Sequence, residues 1–237
     1  MRPTITKPKP APDMRVLVAC ESSGIVRDAF AALGWDAWSC DLQPSERPGQ
    51  HFTCDVLLRI LHAPFTHQPW DLIIAHPPCT YLSSSGMHWT KRGLRDPQLT
   101  ADAIAFAEAI WTAPAKRIGI ENPIGALSTQ SRLGEPAQTI QPYEFGEDAS
   151  KRTCLWLRGL PPLVKDPAQR VSGRLVEWPP GSGKMVERWA NQTDSGQNKL
   201  PPSDDRWKLR SRTYAGIAEA MAEQWTNPTH YHQPALI

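Results

Sequence analysis

Two short stretches carry residue types able to do chemistry. In "DLIIAHPPCTYLSSSG" (71–86) an apolar run ends in two prolines and Cys79 comes at once after them. In "KRIGIENP" (116–123) an apolar run ends in Glu121-Asn122, 42 residues beyond that cysteine. Proline fixes its own φ and biases the preceding residue to extended backbone, so Pro77-Pro78 sets the direction in which the chain presents Cys79. A thiol on so rigid a turn suits covalent catalysis, in which attack by sulfur divides one hard step into easier ones. A carboxyl at the end of a further strand is a candidate proton donor, and in a closed apolar pocket its pKa is expected to rise. The five cysteines (20, 40, 54, 79, 154) are odd in number, widely spaced and without Cys-x-x-Cys. That pattern argues against a disulfide framework and a structural zinc site, and no metal is expected. Apart from Cys79 they read as small buried apolar residues.

The elements that must position these residues alternate. Strands are expected at 14–20, 35–41, 70–75 and 116–122, and helices at 23–34, 55–62 and 98–113, from runs of period 2 and period 3.6. Two more strands are expected at 138–145 and 153–159, and a closing helix at 214–225. Strands alternating with helices give an α/β fold, a doubly wound, mostly parallel sheet. Ligands of such sheets bind beyond the carboxyl ends of the strands. Those ends carry Cys20-Glu21-Ser22-Ser23-Gly24, Asp41, His76-Pro77-Pro78-Cys79 and Glu121-Asn122-Pro123. A small-residue turn before a helix, with an acid after the second strand, looks like a nucleoside-cofactor site. Asp55 reads equally well as a helix N-cap. "GSGK" (181–184) is not a P-loop, since Trp178 and Met185 stand where Gly and Ser or Thr are needed.

The 237 residues suffice for one good-sized core, and 40% hydrophobic with 21% charged residues is ordinary for a globular protein. No apolar run reaches the roughly 18 residues needed to cross a bilayer, and the N-terminal stretch lacks the apolar core of a signal peptide. A cytoplasmic protein is expected. The 24 prolines gather near the N-terminus, around 161–180 and at 201–202, so those segments should be irregular. The net charge of +2 hides an asymmetry: Lys151 to Arg212 holds 13 Lys/Arg against 6 Asp/Glu, and the remainder 13 against 18. A basic segment on an acidic body suggests a polyanion partner as readily as a solvated loop. Trp156, Trp178, Trp189 and Trp207 read as packing residues rather than base-stackers.

"HPPCTYLS" followed by "ENP" resembles the DNA (cytosine-5) methyltransferases, in which a Pro-Pro-Cys turn and a Glu-Asn pair occupy consecutive strand ends, and most of all their compact phage and prophage forms. The similarity spans roughly 14–158 and 196–225, with "FGEDASKRT" (145–153) similar to that family's arginine-rich strand and "RSRTYAGIAEAMAEQW" (210–225) to its last helix. The resemblance implies a Rossmann-like methyltransferase acting on cytosine carbon 5 in double-stranded DNA, with S-adenosyl-L-methionine as cofactor. It assigns the cofactor to Cys20, Glu21, Ser22, Ser23, Gly24, Asp41, Leu42, Asp55 and Pro77. Among these, Asp41 would hold the ribose, Asp55 the adenine edge, and Gly24 would allow close backbone approach. Cys79 would add to carbon 6, Glu121 would serve ring N3, and Lys151 or Arg152 the carbonyl at position 2. Ser83 and Ser84 would lie in a mobile loop that closes over a flipped-out base. Lys184, Arg188, Lys199, Arg206 and Lys208 would contact phosphates.

The implied organisation is a flexible tail (1–13), a catalytic domain (14–158 plus 207–227), a small basic recognition segment (159–206) and a second tail (228–237). A monomer is expected. The chain departs from the family pattern at Cys20 and Ser22 (usually Phe and Gly), Thr80 (usually Gln) and His76 (usually Gly). Two alternatives stand beside this reading: a carbon-5 methyltransferase of RNA or a free pyrimidine nucleotide, and a DNA- or cofactor-binding module without turnover.

Overall fold

The apolar run Arg15–Ala19 forms β1, followed by α1 (Ile25–Ala32), β2 (Asp36–Asp41), β3 (His51–Thr53), α2 (Val56–Leu61) and β4 (Leu72–Ala75). Next come α3 (Ser84–Lys91), α4 (Gln98–Trp111), β5 (Arg117–Asn122), α5 (Ala126–Gln130), β6 (Gln138–Ile140), a 3-10 turn (Pro142–Phe145) and β7 (Thr153–Arg158). The chain continues through a short 3-10 turn (Pro167–Gln169), β8 (Arg174–Glu177), β9 (Met185–Arg188), α6 (Arg206–Ser211) and α7 (Ala215–Thr226). This is a computed structural model, and it describes residues 14–61, 69–203 and 206–226. The tails expected at 1–13 and 228–237 lie outside the described residues.

Seven strands make one sheet in the order β3-β2-β1-β4-β5-β7-β6. The first five pair in parallel, and β7 runs antiparallel to β5 and β6. This is the doubly wound, mostly parallel, Rossmann-like α/β fold that the sequence pattern implied. The strand order reverses between β1 and β4, which places a crevice at their carboxyl ends. Both faces of the sheet are covered, so "VLVA" and "LIIA" are continuous apolar runs and not alternating ones. One face packs Leu17, Ile73, Ile118 and Trp156 with Ile60 and Ile110 of α2 and α4. The other packs Val16, Val18, Leu72 and Ile74 with Phe30 of α1 and Met221 and Trp225 of α7.

Several boundaries differ from the sequence expectation. The strand expected over 138–145 stops at Ile140, because Pro142 opens a 3-10 turn closed by the Gln141–Glu144 capping box. Strand β3, helices α3 and α5, and the β8–β9 hairpin are additions. The hairpin lies inside the Pro-rich stretch, and its strands are too exposed to show alternation. Among the described residues no helix is long and apolar enough to cross a membrane.

Candidate active site

Register brings three strand ends side by side. Ala19 pairs with Ala75 and Ala75 with Ile120, so the next residues, Cys20, His76 and Glu121, succeed one another across β1, β4 and β5. Beyond His76, the Cys79 carbonyl accepts from the Leu82 and Ser83 amides (3.2 and 2.9 Å), which folds the chain back and leaves Cys79 exposed. Asn122 Nδ2 donates to the Pro77 carbonyl at 2.7 Å from a buried position. Removing such a buried donor leaves the carbonyl unpaired, at a cost of about 1–3 kcal/mol. Arg95 Nη1 donates to the Thr80 carbonyl at 3.2 Å and braces the far side.

Glu121 is 8% exposed. Its Oε2 lies 2.7 Å from His76 Nδ1 and accepts from the Thr213 hydroxyl at 3.2 Å, while Lys151 Nζ stands 3.7 Å from Oε1. Burial pushes the carboxyl up, but the Lys151 ammonium, the His76 ring and the Thr213 hydroxyl outweigh it and hold the pKa at about 2. The expected rise is therefore corrected: the pocket is closed, but its walls are cationic and hydrogen-bonding, not apolar. Lys151 and Arg152 are separated by orientation, since Lys151 faces Glu121 and Arg152 is exposed. Neither His76 nor Thr213 was singled out as a contact of the carboxylate. For His76 the one available signal was its place before the prolines. Among the described residues His76 Nε2 and Asn122 Oδ1 are buried without a hydrogen-bond partner.

The "SSSG" stretch is not a loop. Ser83 caps α3 by accepting from the Gly86 amide at 3.2 Å, and Ser84 donates from its amide and hydroxyl to the Ile124 carbonyl. The Ala126 amide donates to the Leu82 carbonyl at 2.7 Å, so the segment after Cys79 is tied to the segment after Glu121-Asn122. With its hydroxyl in a buried cap, Ser83 is not presented to a nucleic acid.

On the cofactor side, Cys20 adopts φ 59°, a left-handed conformation costing a non-glycine residue roughly 1–2 kcal/mol. Burial, then the nearby Asp41, Cys40 and Asp55, push its thiol pKa up. Glu21 and Ser23 serve α1: Glu21 accepts from the Val26 and Arg27 amides (2.7 and 3.2 Å) and from the Ser23 hydroxyl. Gly24 has φ 71°, and a Cβ there would come 2.5 Å from the buried Arg27 guanidinium. Arg27 rather than a ligand therefore accounts for the absence of a side chain at Gly24. Ser22 accepts from the Glu46 amide through its carbonyl, and buried Pro77 is fixed by Asn122. Asp41 and Asp55 each commit one carboxylate oxygen to a nearby amide (Gln43 and Leu57), the latter as the N-cap of α2. Leu42 beside Asp41 is 71% exposed. Among the described residues the Asp41 and Asp55 carboxylates, both near Cys20, each keep one oxygen free to accept, an acceptor set that fits the hydroxyls of a nucleoside.

The basic segment is largely engaged within the chain. Arg188 donates to the Asp194 and Glu187 carbonyls, Arg206 to the Leu200 carbonyl, and Lys208 lies 3.3 Å from Glu46. Each of these three, expected to contact phosphates, is thus engaged within the chain. Lys184 and Lys199 are exposed and make no ion pair with another described residue. Trp189 is buried and stacks on Tyr143 at 3.9 Å, Trp156 is buried and Trp178 half-buried. The Trp207 side chain lies outside the described residues. Cys40 and Cys154 are buried, whereas Cys20 and Cys54 are only partly so; all five thiols are free. No group of three metal-ligating side chains occurs among the described residues. A cleft of about 580 Å³, lined by Met87, Thr100, Ile104 and Glu108 among others, lies against α3 and α4 and includes none of the expected site residues.

No family profile matches this chain, and no curated protein matches it. Among solved structures it is similar to a crystal structure of a candidate DNA modification methyltransferase encoded within a prophage (E. coli), at 16% identity and a TM-score of 0.41, over 61% of this chain and 46% of that one. The chain thus spans less than half the length of that structure, and a likeness this distant carries no argument about function.

Proposed function

We propose that the protein is a DNA cytosine-5 methyltransferase that uses S-adenosyl-L-methionine and acts through a covalent Cys79 adduct, as a monomer in the cytoplasm. The observation that carries this reading is the pairing of an exposed thiol on a braced Pro-Pro turn with a buried carboxylate on the adjacent strand, the two ends locked by Asn122. Asp41, Leu42 and Asp55 would hold the cofactor, and Cys20 would line the turn beside them. When bound, the cofactor supplies an electrophilic methyl group. Carbon 5 of cytosine is too weak a nucleophile to accept it unaided. Addition of the Cys79 sulfur to carbon 6 makes carbon 5 enamine-like. The turn fixes the line of that approach, which is where orientation contributes to rate. Lys151, beside Glu121, is the cation suited to the carbonyl oxygen at position 2. A base within a duplex is out of reach, so the target must be flipped out.

The test is labelled methyl transfer to duplex DNA, tRNA and dCMP in parallel, with DNA containing 5-fluorocytosine as a trap. A gel-stable adduct with the wild type, absent in Cys79→Ser, is expected, because fluorine blocks the elimination that frees the enzyme. Cys79→Ser should keep the fold and cofactor affinity. Label in tRNA or dCMP alone would overturn the DNA reading, and an active preparation without the adduct would overturn the covalent one.

A further inference from the structure

We propose that His76 is the proton reservoir of Glu121: its ring Nδ1 and the carboxylate hold one proton between them, which the carboxyl passes on as the pyrimidine N3 becomes basic. The inference rests on the cytosine-5 reading and deepens it. His76 Nδ1 and Glu121 Oε2 are 2.7 Å apart, the length of a charge-assisted bond, and the two side chains are 10% and 8% exposed. Lys151 and Thr213 occupy the carboxylate as well, and together the three hold its pKa at about 2. A carboxyl held so far below its ordinary value is ionised at pH 7. An arriving N3 would then meet an acceptor, and two acceptors repel. A donor has to be delivered from within. Of the three partners, imidazole is the group that exchanges a proton near neutral pH. Among the described residues His76 Nε2 is buried without a hydrogen-bond partner, so satisfied packing alone does not explain the ring.

The transfers balance. As the Cys79 thiolate, its proton released to solvent, bonds to carbon 6, the electron pair of the 5,6 double bond shifts towards N3. One proton passes from His76 Nδ1 to the carboxyl and one from the carboxyl to N3. Imidazolium–carboxylate becomes imidazole–carboxylate, and the adduct is neutral. After the methyl group has joined carbon 5, N3 returns its proton by the same route, water takes the proton of carbon 5, the electron pair of that C–H bond re-forms the 5,6 double bond, and sulfur leaves as thiolate. The charged and titratable groups around His76 are Glu121 on β5, Lys151 before β7, the Cys20 thiol at the end of β1 and the Cys79 thiol three residues along; Thr213, before α7, is uncharged. Among the described residues Glu121 has no ion pair beyond His76 and Lys151, and His76 none beyond Glu121.

The experiment measures single-turnover methylation of duplex DNA against pH for wild type and His76→Gln, which keeps an N–H towards Glu121 but has no proton to lend. The wild-type rate should fall through one ionisation on the alkaline side, as the His76–Glu121 pair loses its shared proton. The variant should be slower by about two decades and lack that limb, with cofactor affinity unchanged. A variant within about threefold of wild type that keeps the limb overturns the proposal. Should His76→Gln not fold, His76→Asn takes its place. In a Glu121→Gln background the loss of His76 should cost nothing more, whereas additive losses overturn a role through Glu121. Independently of turnover, imidazole ¹⁵N shifts at neutral pH should show both His76 nitrogens protonated. A singly protonated ring overturns the reservoir, whereas a wild type that leaves DNA cytosine unmethylated overturns the cytosine-5 reading itself.

Discussion

The carboxylate of Glu121 and the thiol of Cys79 were both legible in the sequence, because a strand end marked by Pro-Pro or Asn-Pro is a local signal. The charge state of Glu121 was not. It depends on His76, Lys151 and Thr213, which come from three other segments, the first 45 and the last 92 residues away in the chain. Glu121→Gln should lower the methylation rate by two or more decades with little change in cofactor affinity, as loss of acid–base help does; a near wild-type rate would show a supporting role alone. The same carboxyl, held at about 2 against an ordinary 4.5, stabilises the fold at pH above 4.5, and that stabilisation is lost as the pH falls through 2. At 1.36 kcal/mol per unit this is about 3 kcal/mol. Urea midpoints measured from pH 6 downwards should therefore fall more steeply in wild type than in Glu121→Gln; parallel curves would contradict the charge assigned to it.

Strands were legible where burial on two faces made continuous apolar runs, as in β1, β4 and β5, and helices where apolar residues recur at helical spacing, as in α4 and α7. They were hidden where a helix begins on small polar residues. "SSSG" reads as a loop, yet Ser83 is an N-cap with the Gly86 amide as its partner, a signal the sequence did contain. The second half of that junction is invisible without the fold. A Cβ on Gly125 would lie 2.0 Å from the Leu82 carbonyl oxygen, at the point where the two turns bond to each other. Its φ of 166° is ordinary extended backbone, so space and not conformation demands glycine there. Gly125→Ala should push the α3 start away from the 123–126 turn, lowering the methylation rate tenfold or more and destabilising the fold. Gly134→Ala is the matched control. Gly134 has φ 68° with open space around its Cβ position, so alanine there should cost about 1 kcal/mol of stability and leave the rate alone. Equal rate losses in the two variants would remove the junction from the account of the site.

For the whole molecule, the charge asymmetry was plain in the sequence, but its use was not. Counting places +7 on residues 151–212 and −5 on the rest. The fold joins some of that charge across the boundary: Lys208 and Arg212 both meet Glu46 in the β2–β3 connection, and Lys151 meets Glu121. More is spent within the segment, in the Arg170–Glu187 and Arg174–Asp194 pairs. A residue holding two backbone carbonyls, as Arg188 does, is committed before any polyanion arrives. Lys184, in the β8–β9 connection, and Lys199 remain exposed and without an ion pair to another described residue. If this surface holds DNA, the log of its affinity should fall with the log of salt concentration by about 0.9 per phosphate neutralised. Lys184→Ala with Lys199→Ala should flatten that slope by roughly two units, alike on every sequence, and leave the thermal midpoint where it was. Arg188→Ala should act differently, lowering the thermal midpoint through the freed carbonyls, with any loss of affinity secondary to it. A slope unchanged by the lysine pair would mean that the hairpin faces water and that DNA is gripped elsewhere, with the exposed Arg92 and Trp89 of the α3 region as the next surface to remove.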